Sequence, residues 1–158
     1  MSDEAIHGHE QILEHTFAML RSFPIPPGVN LQLPPPSTKT LDMQFEEYVP
    51  ARSLTATVAV PQRYANAVGL LQGGFLSAMI DDLFGALSYL TARGPTTSLD
   101  MTTHYLRPVF AGERLRLHTV VVKGGRTAIF LAAEAHNGSD KLVATATCTL
   151  QVLPVPTS

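Results

Sequence analysis

From Gly74 to Ala92 the chain is apolar nearly all the way round a helical wheel, through Phe75, Leu76, Met79, Ile80, Leu83, Phe84, Leu87 and Leu90. The run is too long for a strand, Arg93-Gly94-Pro95 stops it, and a helix without a polar face has to be buried. The rest of the chain must therefore wrap around it. The helix opens at Gln72-Gly73-Gly74, and its only charges are the adjacent Asp81 and Asp82. A helix start leaves its first N–H groups without intrahelical partners and carries about half a positive charge. Gly73 and Gly74 lack a β-carbon, so a ligand can approach their amides closely. This end suits an anionic or carbonyl oxygen. Asp81 follows Gly74 by about 10.5 Å of helix axis, a carboxylate in an otherwise greasy stretch.

The wrapping elements read as strands. Leu54, Ala56, Val58 and Val60 alternate with Ser53, Thr55, Thr57 and Ala59, which predicts strands over 41–49 and 53–60. After the helix, four β-like runs occupy 96–107, 112–123, 126–137 and 141–153, punctuated by Gly112, Gly124-Gly125 and Asn137-Gly138, good antiparallel turn signals. The order ββ-α-ββββ predicts an α+β domain in which a curled antiparallel sheet of about six strands wraps one long central helix. Ahead of it, Ile6, Leu13, Phe17 and Leu20 recur at helical spacing, with Asp3 and Glu4 at the positive end, so 3–22 reads as an amphipathic helix. Six of the twelve prolines fall between Pro24 and Pro36 and predict an extended strap without regular structure. The division is a helix and strap over 1–40 and a core domain over 41–158.

Size and charge bound the function. A chain of 158 residues suits one domain. Charged residues are 15% against about 25% in an average soluble protein, too few to coat a lone monomer generously, so an oligomer is expected. A net charge of -2 and a pI near 6.3 give no general attraction to nucleic acid or anionic membrane. The acidic, His-containing N-terminus does not read as a signal peptide, and a cytoplasmic location is expected. The single cysteine, Cys148, cannot form an internal disulfide and has no neighbour in sequence that would lower its pKa, so it reads as a core thiol rather than a nucleophile.

In order and spacing, residues 41–153 resemble the hotdog-fold acyl-CoA thioesterases of the phenylacetate-pathway (PaaI-like) branch. The shared pattern stands here as Asn66, Gly69, Gln72-Gly73-Gly74 and Asp81, then Ser98-Leu99-Asp100-Met101 and Tyr105-Leu106-Arg107-Pro108. The resemblance implies a homodimer, or a dimer of dimers, with active sites across the subunit interface, an acyl-CoA substrate, and no metal or organic cofactor. By position, the Gly73 amide and Asn66 would polarise the thioester carbonyl, Asp81 would activate water or act as nucleophile, and Ser98 would hold the water or the carboxylate. Gln72 stands where many relatives have His. Its amide can donate a hydrogen bond but cannot supply a proton at neutral pH. A thiol leaves as thiolate with a pKa of about 8.5, so its departure needs little acid help.

Each candidate also has a plainer reading. Asp81 can be a structural carboxylate, although Ser77, Ala78 and Gly85, one turn away on either side, make its strip of helix small enough to line a cleft. Asp82 lies about 100° round the helix and is the reserve candidate for contact with substrate. Gly73 and Gly74 can serve only the turn into the helix, and Asn66 can be a loop residue bonded to its own backbone. Alternation places Ser98, Asp100, Thr102 and His104 on one strand face, but Ser98 and His104 would be roughly 20 Å apart, which excludes a same-strand triad. Phe75, Met79 and Tyr64, with the strap, can shape an aromatic slot or a medium aliphatic tunnel. His7, His9 and His15 lie on one helix without the convergence that zinc requires, and Lys123 and Arg126 flank a turn where charges are usually solvated. Two other activities fit the same residues: a non-catalytic acyl-CoA-binding module, to which the missing His lends weight, and a hydratase, which needs a His that the segment from Thr16 to Thr103 does not contain.

Overall fold

The computed structural model describes residues 4–24, 28 and 30–154. In chain order the elements are β1 (Ile6–His7), α1 (His9–Ser22), α2 (Pro36–Leu41), β2 (Gln44–Val49), β3 (Ser53–Ala59), α3 (Gly73–Ala92), β4 (Thr96–Tyr105), β5 (Arg114–Gly124), β6 (Ala128–Asn137) and β7 (Leu142–Val152). The strands form one antiparallel sheet in the order β1-β2-β3-β5-β6-β7-β4. It curls around α3, which packs against β3 to β7. This is the hotdog arrangement that the resemblance implied, and the six predicted strands and the central helix lie where the sequence puts them, with ends shifted by a few residues.

Register explains how the helix fits. Ala56, Leu117, Ala135 and Ala144 pair in a row across β3, β5, β6 and β7, and Tyr105 of β4 ends that row. Three of these five are alanines, which lets α3 lie close to the sheet. From the helix, Met79, Ile80, Leu83, Phe84 and Leu87 are fully buried, each contributing roughly 1.5–3 kcal/mol. α3 has the length and composition of a membrane span, yet these contacts make it the core of a sheet.

Three expectations are corrected. The N-terminal helix starts at His9, because Ile6 and His7 pair with Tyr48 and Glu47 of β2 and Gly8, at φ 89°, turns the chain between strand and helix. His9 fixes that corner: its Nδ1 accepts the Phe45 N–H at 3.0 Å and its ring stacks on Phe45. The part of the helix expectation that rests on Asp3 lies outside the described residues. The strap, whose Pro26 and Pro27 also lie outside them, ends in a helical segment rather than extended chain. Proline is compatible with a first helical turn, where no N–H is needed, and Pro36 begins α2. Finally, the alternation along β4 breaks. Ser98 pairs with Leu150 and Asp100 with Thr149, leaving Leu99 as a bulge. Ser98 therefore shares the helix-facing side with Met101, Thr103 and Tyr105, while Asp100, Thr102 and His104 face away.

Candidate active site

The loop before α3 is held from both sides, so the helix start has a fixed position. Asn66 Oδ1 accepts the Val68 and Leu70 N–H groups at 3.0 and 3.1 Å, with Gly69 at φ 82° completing the turn. The Leu71 N–H donates to Val109 O and the Gln72 N–H to Tyr64 O. Gln72 is the N-cap, with no side-chain cap bond, and its carbonyl accepts the Phe75 N–H. Gly73 and Gly74 occupy the first two helical positions, whose N–H groups have no carbonyl behind them.

Their surroundings differ. A β-carbon on Gly73 would meet the Tyr105 ring at 3.0–3.3 Å, whereas one on Gly74 would meet nothing within 4 Å. The Tyr105 hydroxyl donates to Gly73 O at 2.9 Å and lies 2.5 Å from Ser77 Oγ, which reaches Thr103 Oγ1 at 3.3 Å. The last residue of β4 thus braces the helix start. A cavity of about 420 Å³ opens here, with Asn66, Gly73, Leu76, Tyr105 and Arg107 in its wall. Phe75 is drawn aside: it stacks on Tyr64 at 4.1 Å between centroids, and the Tyr64 hydroxyl donates to Thr40 O. Met79 lies fully in the core.

Asp81 is exposed two turns along α3, and Ser98 Oγ donates to its Oδ1 at 3.5 Å. The bulge at Leu99 turns Ser98 toward the helix. Cys148 lies below, hydrogen-bonded to Ser98, and burial pushes its thiol pKa up, which keeps it protonated and unreactive. Asp82 points another way: both its oxygens accept the Thr38 hydroxyl at 3.0 Å, and Oδ1 also accepts Ser37 Oγ at 3.4 Å. Burial raises its carboxyl above the usual range, with the two hydroxyls opposing and the neighbouring Asp81 charge adding to the rise. Asp81 and Asp82 both line a second cavity of about 280 Å³, between α3, α1 and α2. Within one protomer, then, the Gly73 amide and Asp81 open onto different cavities, about 12 Å apart along the helix.

The sequence assigned no role to Tyr105, Thr38 or Ser37. Tyr105 carried a signal, as the aromatic residue at a fixed distance before Pro108; Ser37 and Thr38, more than forty residues from Asp82, carried none. The three N-terminal histidines do not converge: His15 packs on Tyr48, His7 is 3.7 Å from Glu47 and His9 holds Phe45. Among the described residues no three His, Cys, Asp or Glu side chains gather to hold a metal ion. Lys123 and Arg126 are exposed beside their turn.

A family model described as the thioesterase superfamily matches residues 68–144. The human acyl-coenzyme A thioesterase 13 is 32% identical over 87 residues, 54% of this chain; the match spans 62% of that relative's length. A phenylacetic acid degradation-related protein from Ralstonia eutropha, of known structure, is 30% identical, with a TM-score of 0.70 over 87% of this chain and 98% of its own. The smu.793 protein of Streptococcus mutans, solved bound to acetyl CoA, is 25% identical, with a TM-score of 0.63 over 66% of this chain and 84% of its own.

Proposed function

The chain belongs to the thioesterase superfamily, in its PaaI-like branch, and we propose that it hydrolyses acyl-CoA thioesters to free acid and coenzyme A. The observation that carries this reading is an exposed Asp81, within reach of the Ser98 hydroxyl, on the same helix whose glycine start offers unpaired amides. Asp81 takes a proton from water as the water oxygen attacks the thioester carbonyl. The oxyanion forms against the Gly73 N–H, a contribution of about 3 kcal/mol for one such donor. The carbon–sulfur bond then breaks, the thiolate leaves, and the proton held by Asp81 passes to it. Gln72 donates a hydrogen bond to sulfur or carbonyl, and Asn66, with Oδ1 engaged in its loop, has its amide N–H groups to offer substrate. The sequence of steps calls on no metal or organic cofactor.

The two groups act from opposite subunits. Along one helix they are about 12 Å apart, whereas water on a base must lie about 3 Å from the carbon it attacks. A second copy supplies the match. β4 is an edge strand of ten residues with Leu99 exposed on its bulge, and Gly74, Ala78 and Asp81 form an exposed face of α3 with little side-chain bulk. Long open edges invite pairing with another chain. In this proposal the dimer is cytoplasmic and residues 41–158 carry the chemistry.

Thiol release from acyl-CoA thioesters tests the reading, with native protein expected to turn over and Asp81→Asn expected to lose at least a hundredfold. Gln72 supports the second reading, a module that binds acyl-CoA without cleaving it. Saturable binding with no thiol released by native protein is the outcome that favours it.

A further inference from the structure

We infer that the 280 Å³ cavity beneath α1 takes the acyl group, and that Gly85 sets its depth for medium-length chains of about eight to ten carbons. The inference rests on the role proposed for Asp81, because the group attached to the attacked carbonyl must lie in the space that carboxylate faces. Asp81, Gly85 and Tyr89 recur four residues apart on the wall of this cavity, with Phe17 and Leu13 of α1 also lining it. Positions four apart stack on one helix face, and the three span about 12 Å. A glycine inside a helix weakens it relative to alanine. Gly85 is not there to let backbone pass, since a β-carbon on it would meet nothing within 4 Å. What it preserves is open space.

The chemistry of the wall selects the acyl group over the coenzyme A arm. That arm carries amides and phosphates, which need hydrogen-bond donors or cations when they leave water. Among the described residues no Lys or Arg lines this cavity. The Thr16 hydroxyl donates to Ile12 O, and those of Ser37 and Thr38 donate to Asp82. Tyr89, eight residues along the helix from Asp81, carries the remaining hydroxyl of the wall. An alkyl chain makes no such demand.

The span of this helix face sets the length. An extended chain advances roughly 1.2 Å per bond, taking about 3.6 Å for the three bonds of a residue, so about 12 Å holds about ten bonds. Sixteen carbons exceed that length.

The test compares thiol release from acetyl-, octanoyl- and palmitoyl-CoA by native protein, Gly85→Leu and Phe17→Ala, together with binding of the non-hydrolysable thioether S-octyl-CoA. Native protein is expected to favour octanoyl over both others by at least tenfold in kcat/KM. Gly85→Leu should lower the octanoyl-to-acetyl ratio at least tenfold, chiefly through KM, and Phe17→Ala should raise the palmitoyl-to-octanoyl ratio. A native preference for palmitoyl, or ratios unchanged in both variants, overturns the inference. If native protein releases no thiol at all, the hydrolase reading fails instead, and S-octyl-CoA then decides the pocket: tenfold weaker binding to Gly85→Leu supports it and equal binding overturns it.

Discussion

The Tyr105 hydroxyl donates to the Gly73 carbonyl at 2.9 Å, so the final residue of an edge strand holds the first residue of the buried helix. Because the same hydroxyl also meets Ser77 Oγ, the helix start is fixed at two points one turn apart. An amide that must meet a developing oxyanion gains from such bracing, since small misplacements weaken electrostatic stabilisation steeply.

Tyr105→Phe keeps the ring and removes both bonds. Stability should fall by about 1 kcal/mol, the usual net value of a hydrogen bond, while kcat falls about tenfold, equivalent to about 1.4 kcal/mol, with KM within about twofold. Urea unfolding and steady-state kinetics on the same preparation separate the effects. A kcat equal to native would show that the brace serves folding alone.

The two glycines at the helix start should respond differently to alanine. A β-carbon on Gly73 crowds the Tyr105 ring, and one on Gly74 enters open space. Gly73→Ala is expected to destabilise by about 1–2 kcal/mol as the ring shifts, and Gly74→Ala to leave the isolated protomer unchanged or slightly firmer. Melting temperatures of the pair decide the matter, and equal values would contradict the crowding argument.

Asp82 predicts a pH dependence with a definite sign. Its folded pKa is raised above 3.8, mainly by burial. Between 3.8 and the raised value the folded state therefore holds more of this proton than the unfolded chain does. Stability contributed by the group is full below 3.8 and is lost as pH rises through that window. Asp82→Asn cannot ionise, so native protein should lose stability relative to the variant as pH increases from about 3.5 toward neutrality. Denaturation series at several pH values give the difference directly; a gap that is flat, or that closes in the other direction, would refute the assignment.

Much of this architecture was legible because it is written in periodicity. The all-round apolar run from Gly74 to Ala92 and the alternation through Leu54 to Val60 each admit few alternatives, and Gly124-Gly125 and Asn137-Gly138 punctuate the strands beyond the helix. Ile6 and His7 read as helix in the sequence because two residues carry no period of their own, and only pairing with Tyr48 and Glu47 makes them a strand. Nothing local marks the helical segment at Pro36, because proline suits both a coil and a first helical turn. The Leu99 bulge depends on the partner strand β7, so nothing local marks it, yet it decides that Ser98 faces Asp81 while Asp100 and His104 do not. The Thr38 contact with Asp82 is tertiary throughout.

Opposite-subunit sites predict that two inactive variants restore each other. Asp81→Asn removes the proposed base. Gly73→Pro removes the proposed donor; its β-carbon crowds the Tyr105 ring as that of Gly73→Ala does, but the backbone accepts it, since proline suits the first helical position and Gln72, at φ -63° and ψ 127°, already has the extended conformation that proline requires of its predecessor. Each protein alone should be inactive. When the two are denatured together and refolded, half of the dimers pair one variant with the other, and each such dimer contains one site with Gly73 from the first chain and Asp81 from the second. Turnover should recover to about a quarter of native. If both groups worked within one protomer, every site in the mixture would carry a lesion and no turnover would return.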